Sequence, residues 1–190
     1  MKTLLDRVTH YLKNEYGVEI KKENAGSENY VNIADFSGKT IRVNTSVRGD
    51  EELIFIIAHL FGHMVQFSNY PHYKELVEET ERPKPLQLSE EFKAAFYAYE
   101  REGYAIGKAL LEQALGPTKT EQLDERYQLY LETDFTAFWS YITTGVQISS
   151  VEFEKKLREN YRSGVGQNRK PLTRVDLPRE IHPQRGAVVF

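Results

Sequence analysis

Residues 51–68 constrain this chain more than any other stretch. Leu53, Ile54, Phe55, Ile56, Ile57, Ala58, Leu60, Phe61, Met64, Val65 and Phe67 leave no broad polar side once the stretch is wound as a helix. A helix that is apolar all round belongs at the centre of a fold, with other elements packed about it. Asp50 is placed to cap its N-terminus, and Glu51 and Glu52 suit the positive end of its dipole. A membrane span needs about 20 apolar residues, and this run is too short and too closely flanked by charge.

Two histidines interrupt the apolar run. His59 and His63 are four residues apart, so both rings lie on one face, one turn from each other. Burying two imidazoles is costly unless each finds a partner. A shared metal ion would partner both rings; so would separate hydrogen-bond acceptors in the core. Gln66 and Asn69 continue the same face and suit hydrogen bonding in the core or at the helix end. The chain has no cysteine, so a metal here would be held by His, Asp or Glu.

The flanking segments set the fold class. Leu4, Leu5, Val8, Tyr11, Leu12 and Tyr16 predict a helix over 2–16 that Gly17 ends, with His10 on its solvent side. Residues 18–20, 30–33 and 40–43 alternate in the manner of short strands, with a turn at Ser37-Gly38-Lys39. Residues 69–88 read as a polar connection with Pro71, Pro83 and Pro85. A helix follows over 89–115, stopped by Gly116-Pro117. Thr118 and Glu121 suggest a capping box for a helix ending near Gly145, and Ser149 and Glu152 another for a helix to about Tyr161. Strands precede helices instead of alternating with them. The expected architecture is therefore α+β, a small antiparallel-type sheet packed against a helical bundle.

One domain is expected over 1–161, with a core at 1–115 and a helical extension at 118–161. Residues 162–190 form a basic, Gly- and Pro-rich tail whose end, Ala187–Phe190, either adds a strand or frays. Gly164-Val165-Gly166 is too little for a phosphate loop. The net charge of −3 argues against a general nucleic-acid binder, although the tail leaves room for a weaker reading as a nucleic-acid-associated regulator. Met1 leads into an amphipathic pattern and not an apolar signal core, which predicts a cytoplasmic protein.

On the helix 89–115, Glu100 shares a face with Phe96, Gly103 and Gly107. Glycine costs about 1 kcal/mol relative to alanine inside a helix. Two on one stripe suggest close approach to the histidine helix, with Glu100 as a third ligand. The plainer alternatives for Glu100 are a surface position or an ion pair with Arg101 or Lys93. Glu102 points elsewhere, as an outer partner or a surface group. Lesser candidates are His72, His182 and the acidic run Glu75, Glu78, Glu79 and Glu81, which most simply form loop or solvated positions. Phe135, Phe138, Trp139 and Tyr141 read as helix-packing core.

Residues 32–46, Asn-Ile-Ala-Asp-Phe-Ser-Gly-Lys-Thr-Ile-Arg-Val-Asn-Thr-Ser, run into Asp50 and the helix ending Ala58-His59-Leu60-Phe61-Gly62-His63. Glu100-Arg-Glu-Gly-Tyr-Ala-Ile-Gly-Lys-Ala-Leu-Leu111 follows in order. Together these segments resemble the ImmA/IrrE-type zinc metallopeptidase family over roughly residues 1–112. The resemblance implies a zincin-like core, zinc bound by His59, His63 and Glu100, and Gly62 as the glycine before the second histidine. It also implies action on a protein partner or peptide substrate such as a helix-turn-helix regulator. The chain departs from the family at three places. Leu60 replaces the glutamate that takes a proton from the attacking water. Tyr104 stands for the usual Asn, and Gly103 for Ala. The function this implies is that of a zinc-binding, catalytically impaired metallopeptidase-like protein in bacterial or phage-type regulation. The alternative is an active peptidase with an unconventional base.

Overall fold

The computed structural model describes residues 2–24, 33–35, 38–46, 48–69, 73–163, 171–182 and 187–189. Among them the first helix, α1 (Leu4–Tyr11), opens on a capping box between Thr3 and Asp6 and continues as a π-helical turn over Leu12–Tyr16. Gly17 ends it in the left-handed conformation at φ 67°, where a side chain would be strained.

Four strands follow in the order β1-β3-β2-β4: β1 (Glu19–Glu23), β2 (Ile33–Asp35), β3 (Thr40–Asn44) and, from the far end of the chain, β4 (Ala187–Val189). The β2–β3 hairpin is antiparallel, as the turn predicts, and β4 pairs antiparallel with β2. The sheet is nevertheless mixed and not of antiparallel type, because β1 runs parallel to β3 with Ile20 opposite Ile41. With β4 on the outer edge of β2, the outer edge of β3 is the one that β1 takes. Tyr30, Val31, Asn32 and Ser37 lie outside the described residues, as do Gly164–Gly166 and Phe190.

The histidine helix, α2 (Asp50–Asn69), is central as its composition demands. Residues 53–66 are all buried, with α1, α4 and the strands β2 and β3 packed about them. Within the expected polar connection lies a helix, α3 (Tyr73–Thr80). Its acids obscured a small apolar stripe, Tyr73, Leu76 and Val77, that seats it on the core. The long helices α4 (Glu90–Leu115) and α5 (Pro117–Thr144) complete the bundle with α6 (Ser150–Ser163). Pro117 takes the first turn of α5 and Gly116 its cap, so Thr118 does not cap this helix. Ser149 does accept from the Glu152 amide at the start of α6.

The described part of the C-terminal segment is fastened to this body. Arg101 donates to the Pro171 carbonyl, Tyr16 to that of Pro178 and Ser68 to that of His182, and Ile181 is buried. The fold is α+β, and among the described residues no helix is long and apolar enough to cross a membrane.

Candidate metal centre

The site is made by α2 and α4 coming unusually close. A methyl group added at Gly62 would lie 2.0 Å from the Gly103 carbonyl oxygen, and one at Gly107 would lie 2.6 Å from that of Ala58. The small residues anticipated on α4 thus meet the backbone of α2, and Glu100 is carried inward between them. It is 3% exposed and so not a surface group, its ion-pair contacts are with His59 and His63, and Arg101 pairs with Glu132.

His59 Nε2 and His63 Nε2 are 2.5 Å apart, and Glu100 Oε2 is 3.0 Å from the first and 3.4 Å from the second. All three side chains are buried. The proton positions follow from what lies behind the rings. His63 Nδ1 is 2.9 Å from Gln66 Oε1. The Gln66 amide is fixed in this sense because its nitrogen donates to the Tyr99 carbonyl and to the Glu102 carboxylate, both acceptors. His63 Nδ1 therefore carries the hydrogen. His59 Nδ1 lies 3.4 Å from Asp134 Oδ2, a carboxylate oxygen that also accepts from the Tyr104 hydroxyl. That arrangement puts the second hydrogen on His59 Nδ1.

Both Nε2 lone pairs and a carboxylate oxygen thus point at one another. Three acceptors converging out of water repel unless a cation lies among them. Without a metal the cation is a proton. Burial opposes charge on His59, but Asp134 and Glu100 outweigh it and raise its pKa to about 9. Burial lowers that of His63, with the charge on His59 adding to the effect. Burial pushes the Glu100 carboxyl up, yet the His63 and His59 rings more than offset this and hold it at about 2. Glu100 Oε1 is buried with no hydrogen-bond partner, a second acceptor that lacks a cation.

The chemistry of the donor set therefore fits a metal ion, and His59, His63 and Glu100 form the group of metal-ligating side chains found among the described residues. Asp134 and Gln66 supply the outer contacts that fix ligand histidines elsewhere. Tyr104, at the position where the resembled family has Asn, packs its ring 4.3 Å from His59. Gly103 leaves room for the rings, since a methyl there would sit 3.2 Å from His63 Cε1.

The remaining candidates fall away from the centre. Glu102 is an outer partner through Gln66, Asn69 and His10 are exposed, and His182 is exposed with only its carbonyl engaged. His72 lies outside the described residues, while Glu75, Glu78 and Glu81 are solvated on or just past α3. Asp134 was missed from sequence. Its signal was an acid on the Tyr127, Tyr130, Leu131, Phe135 stripe of α5, three of whose members are no more than 3% exposed. Leu60 is buried among apolar neighbours. The chain matches no protein-family model, no curated protein and no solved structure.

Proposed function

We propose that this chain is a zinc-binding protein with a zincin-like core, in which the ion fastens α2 to α4 and peptide bonds are not cleaved. The carrying observation is the convergence of His59 Nε2, His63 Nε2 and Glu100 Oε2 in a closed, buried cluster. Imidazole and carboxylate donors suit zinc, and since three protein donors leave one tetrahedral position unfilled, it is the burial of the cluster and Leu60, not the ligand count, that favours a non-catalytic ion. A bound zinc would supply Lewis acidity, but among the described residues no carboxylate or imidazole beyond the three ligands faces the Nε2 side where it would lie. Leu60 offers none. The two nearest further carboxylates, Asp134 and Glu102, stand behind the rings on their Nδ1 sides.

On this reading the fold serves recognition, and the chain acts in regulation through a protein partner, a helix-turn-helix regulator being the kind the family resemblance suggests. The test is elemental analysis of protein purified without a histidine tag, beside His59→Ala and Glu100→Ala variants. About one zinc per chain, lost in both variants, is the expected result. Absence of metal, with no uptake from added zinc, would sink the reading and leave the histidines as core residues sharing a proton.

A further inference from the structure

The donors of the metal centre are closed off from water. His59, His63 and Glu100 are each no more than 3% exposed, and the Tyr104 and Tyr99 rings lie against the two imidazoles at 4.3 and 4.8 Å. An ion among them is therefore exchanged through a local opening. Glu100 is on α4 and both histidines are on α2, so the movement that frees all three donors is a parting of these two helices.

The C-terminal segment is fastened to both. Arg101, the residue after Glu100 on α4, donates to the Pro171 carbonyl at 3.3 Å. Ser68, beyond His63 on α2, donates to the His182 carbonyl at 2.9 Å. Between these points Tyr16 donates to the Pro178 carbonyl at 3.1 Å, and Ile181 is 2% exposed within the core. Beyond them β4 pairs with β2, a strand packed on α2.

Two properties make the segment separable from the body. Residues 171–182 contain no helix or strand, so they can leave without unwinding α2 or α4. Against α4 they are loosely seated. Recesses of about 280 and 340 Å³ lie between residues 172–175 and that helix, walled there by Arg101, Glu102, Ala105 and Lys108. Glu102 also accepts from Gln66, whose oxygen holds the His63 Nδ1 hydrogen, so the loosely covered face backs onto the centre.

We propose that the C-terminal segment, through residues 171–182 and β4, is a latch across α2 and α4 whose release admits and frees the zinc ion. The inference rests on the zinc reading above. The latch holds the helices and not the donors, so it slows uptake and release alike and leaves affinity almost unchanged.

The test follows zinc release to a chelator, zinc uptake and amide hydrogen exchange in the full chain and its full-length variants. Ile181→Ala, which empties the anchor, should speed release and uptake about tenfold, with affinity changed by no more than about threefold. Tyr16→Phe, which removes one hydrogen bond, should speed both about threefold. In metal-free Ile181→Ala the amides of 59–63 and 100–103 should exchange about tenfold faster. Ile142→Ala, at a buried α5 position that makes none of these contacts, should leave the same rates within about twofold of the parent. Unchanged release in both segment variants would overturn the proposal. So would equal acceleration in Ile142→Ala, which marks a general loosening, or a loss of affinity matching the gain in release rate, which marks support of the bound state. A parent chain that takes up no zinc strikes the metal reading. Faster exchange of the α2 and α4 amides in Ile181→Ala would then still identify the segment as a restraint on those helices, and unchanged exchange would remove that role as well.

Discussion

Gly62 on α2 faces Gly103 on α4 so closely that a methyl group on the former would lie 2.0 Å from the carbonyl oxygen of the latter. No side-chain rotation relieves that clash, because the obstacle is backbone. Gly62→Ala should force the two helices apart, destabilise the fold by about 3 kcal/mol or more, and pull Glu100 away from the histidines. Urea unfolding and metal content check both consequences. A variant as stable as the parent would mean that α2 and α4 do not pack as described.

Asp134 determines which nitrogen of His59 carries the hydrogen. In Asp134→Asn the amide can turn its NH2 toward Nδ1, which places the ring hydrogen on Nε2, where the metal needs a lone pair. Metal affinity should fall about 10- to 100-fold, as it does when such outer partners are lost elsewhere. Competition with a chromophoric chelator measures it. Unchanged affinity in a folded variant would remove Asp134 from the centre.

The parts of this site that were legible in the sequence are those carried by one helix at a time. His59 and His63 declare themselves by spacing, and Glu100 by the glycines beside it, since helical period alone fixes which residues share a face. Asp134 is 75 residues beyond His59 and enters from a helix whose packing no local pattern specifies. Gln66 lay on the right face, but only the structure joins it to Tyr99 and Glu102. The parallel pairing of β1 was hidden because Glu19–Glu23 is a charged edge strand, whose alternation is the same for either direction. Helix α3 was masked by the prolines and acids around its short apolar stripe.

Metal-free protein should lose stability on the alkaline side. The folded pKa of His59, about 9, lies above its ordinary 6.5, so its contribution is complete below pH 6.5 and is lost as pH rises toward 9. Glu100, held at about 2 against an ordinary 4.5, contributes fully above pH 4.5 and loses that contribution only in strong acid. His63 is shifted down, which acts in the opposite sense below 6.5, and the Glu52 carboxyl, raised to about 8, loses its own contribution as pH rises to 8, so the part of the fall that disappears in His59→Ala reports His59. The urea midpoint measured with a chelator present should fall between pH 6.5 and about 9. Added zinc should reverse the trend, since the ion replaces the His59 proton and binds more tightly as pH rises. A flat midpoint in chelated protein would contradict the shared-proton arrangement.

Leu60 bears on the proposed non-catalytic reading, and its surroundings decide what a glutamate at this position would do. The side chain is 1% exposed and packs in the apolar core. A carboxylate there gains no water and no described hydrogen-bond donor, so Leu60→Glu should cost about 2–4 kcal/mol of stability in metal-free protein. It should retain zinc, because the three donor atoms of His59, His63 and Glu100 are left in place. It should not cleave peptides, because the three ligands are as buried as the core around them and leave no room for a backbone carbonyl to approach. Incubating the zinc-loaded variant with an unstructured protein substrate and following new amino termini tests this. Zinc-dependent cleavage by the variant would show that the centre opens to substrate and lacks only its base. Chelator-sensitive cleavage by the unaltered chain would overturn the non-catalytic reading altogether.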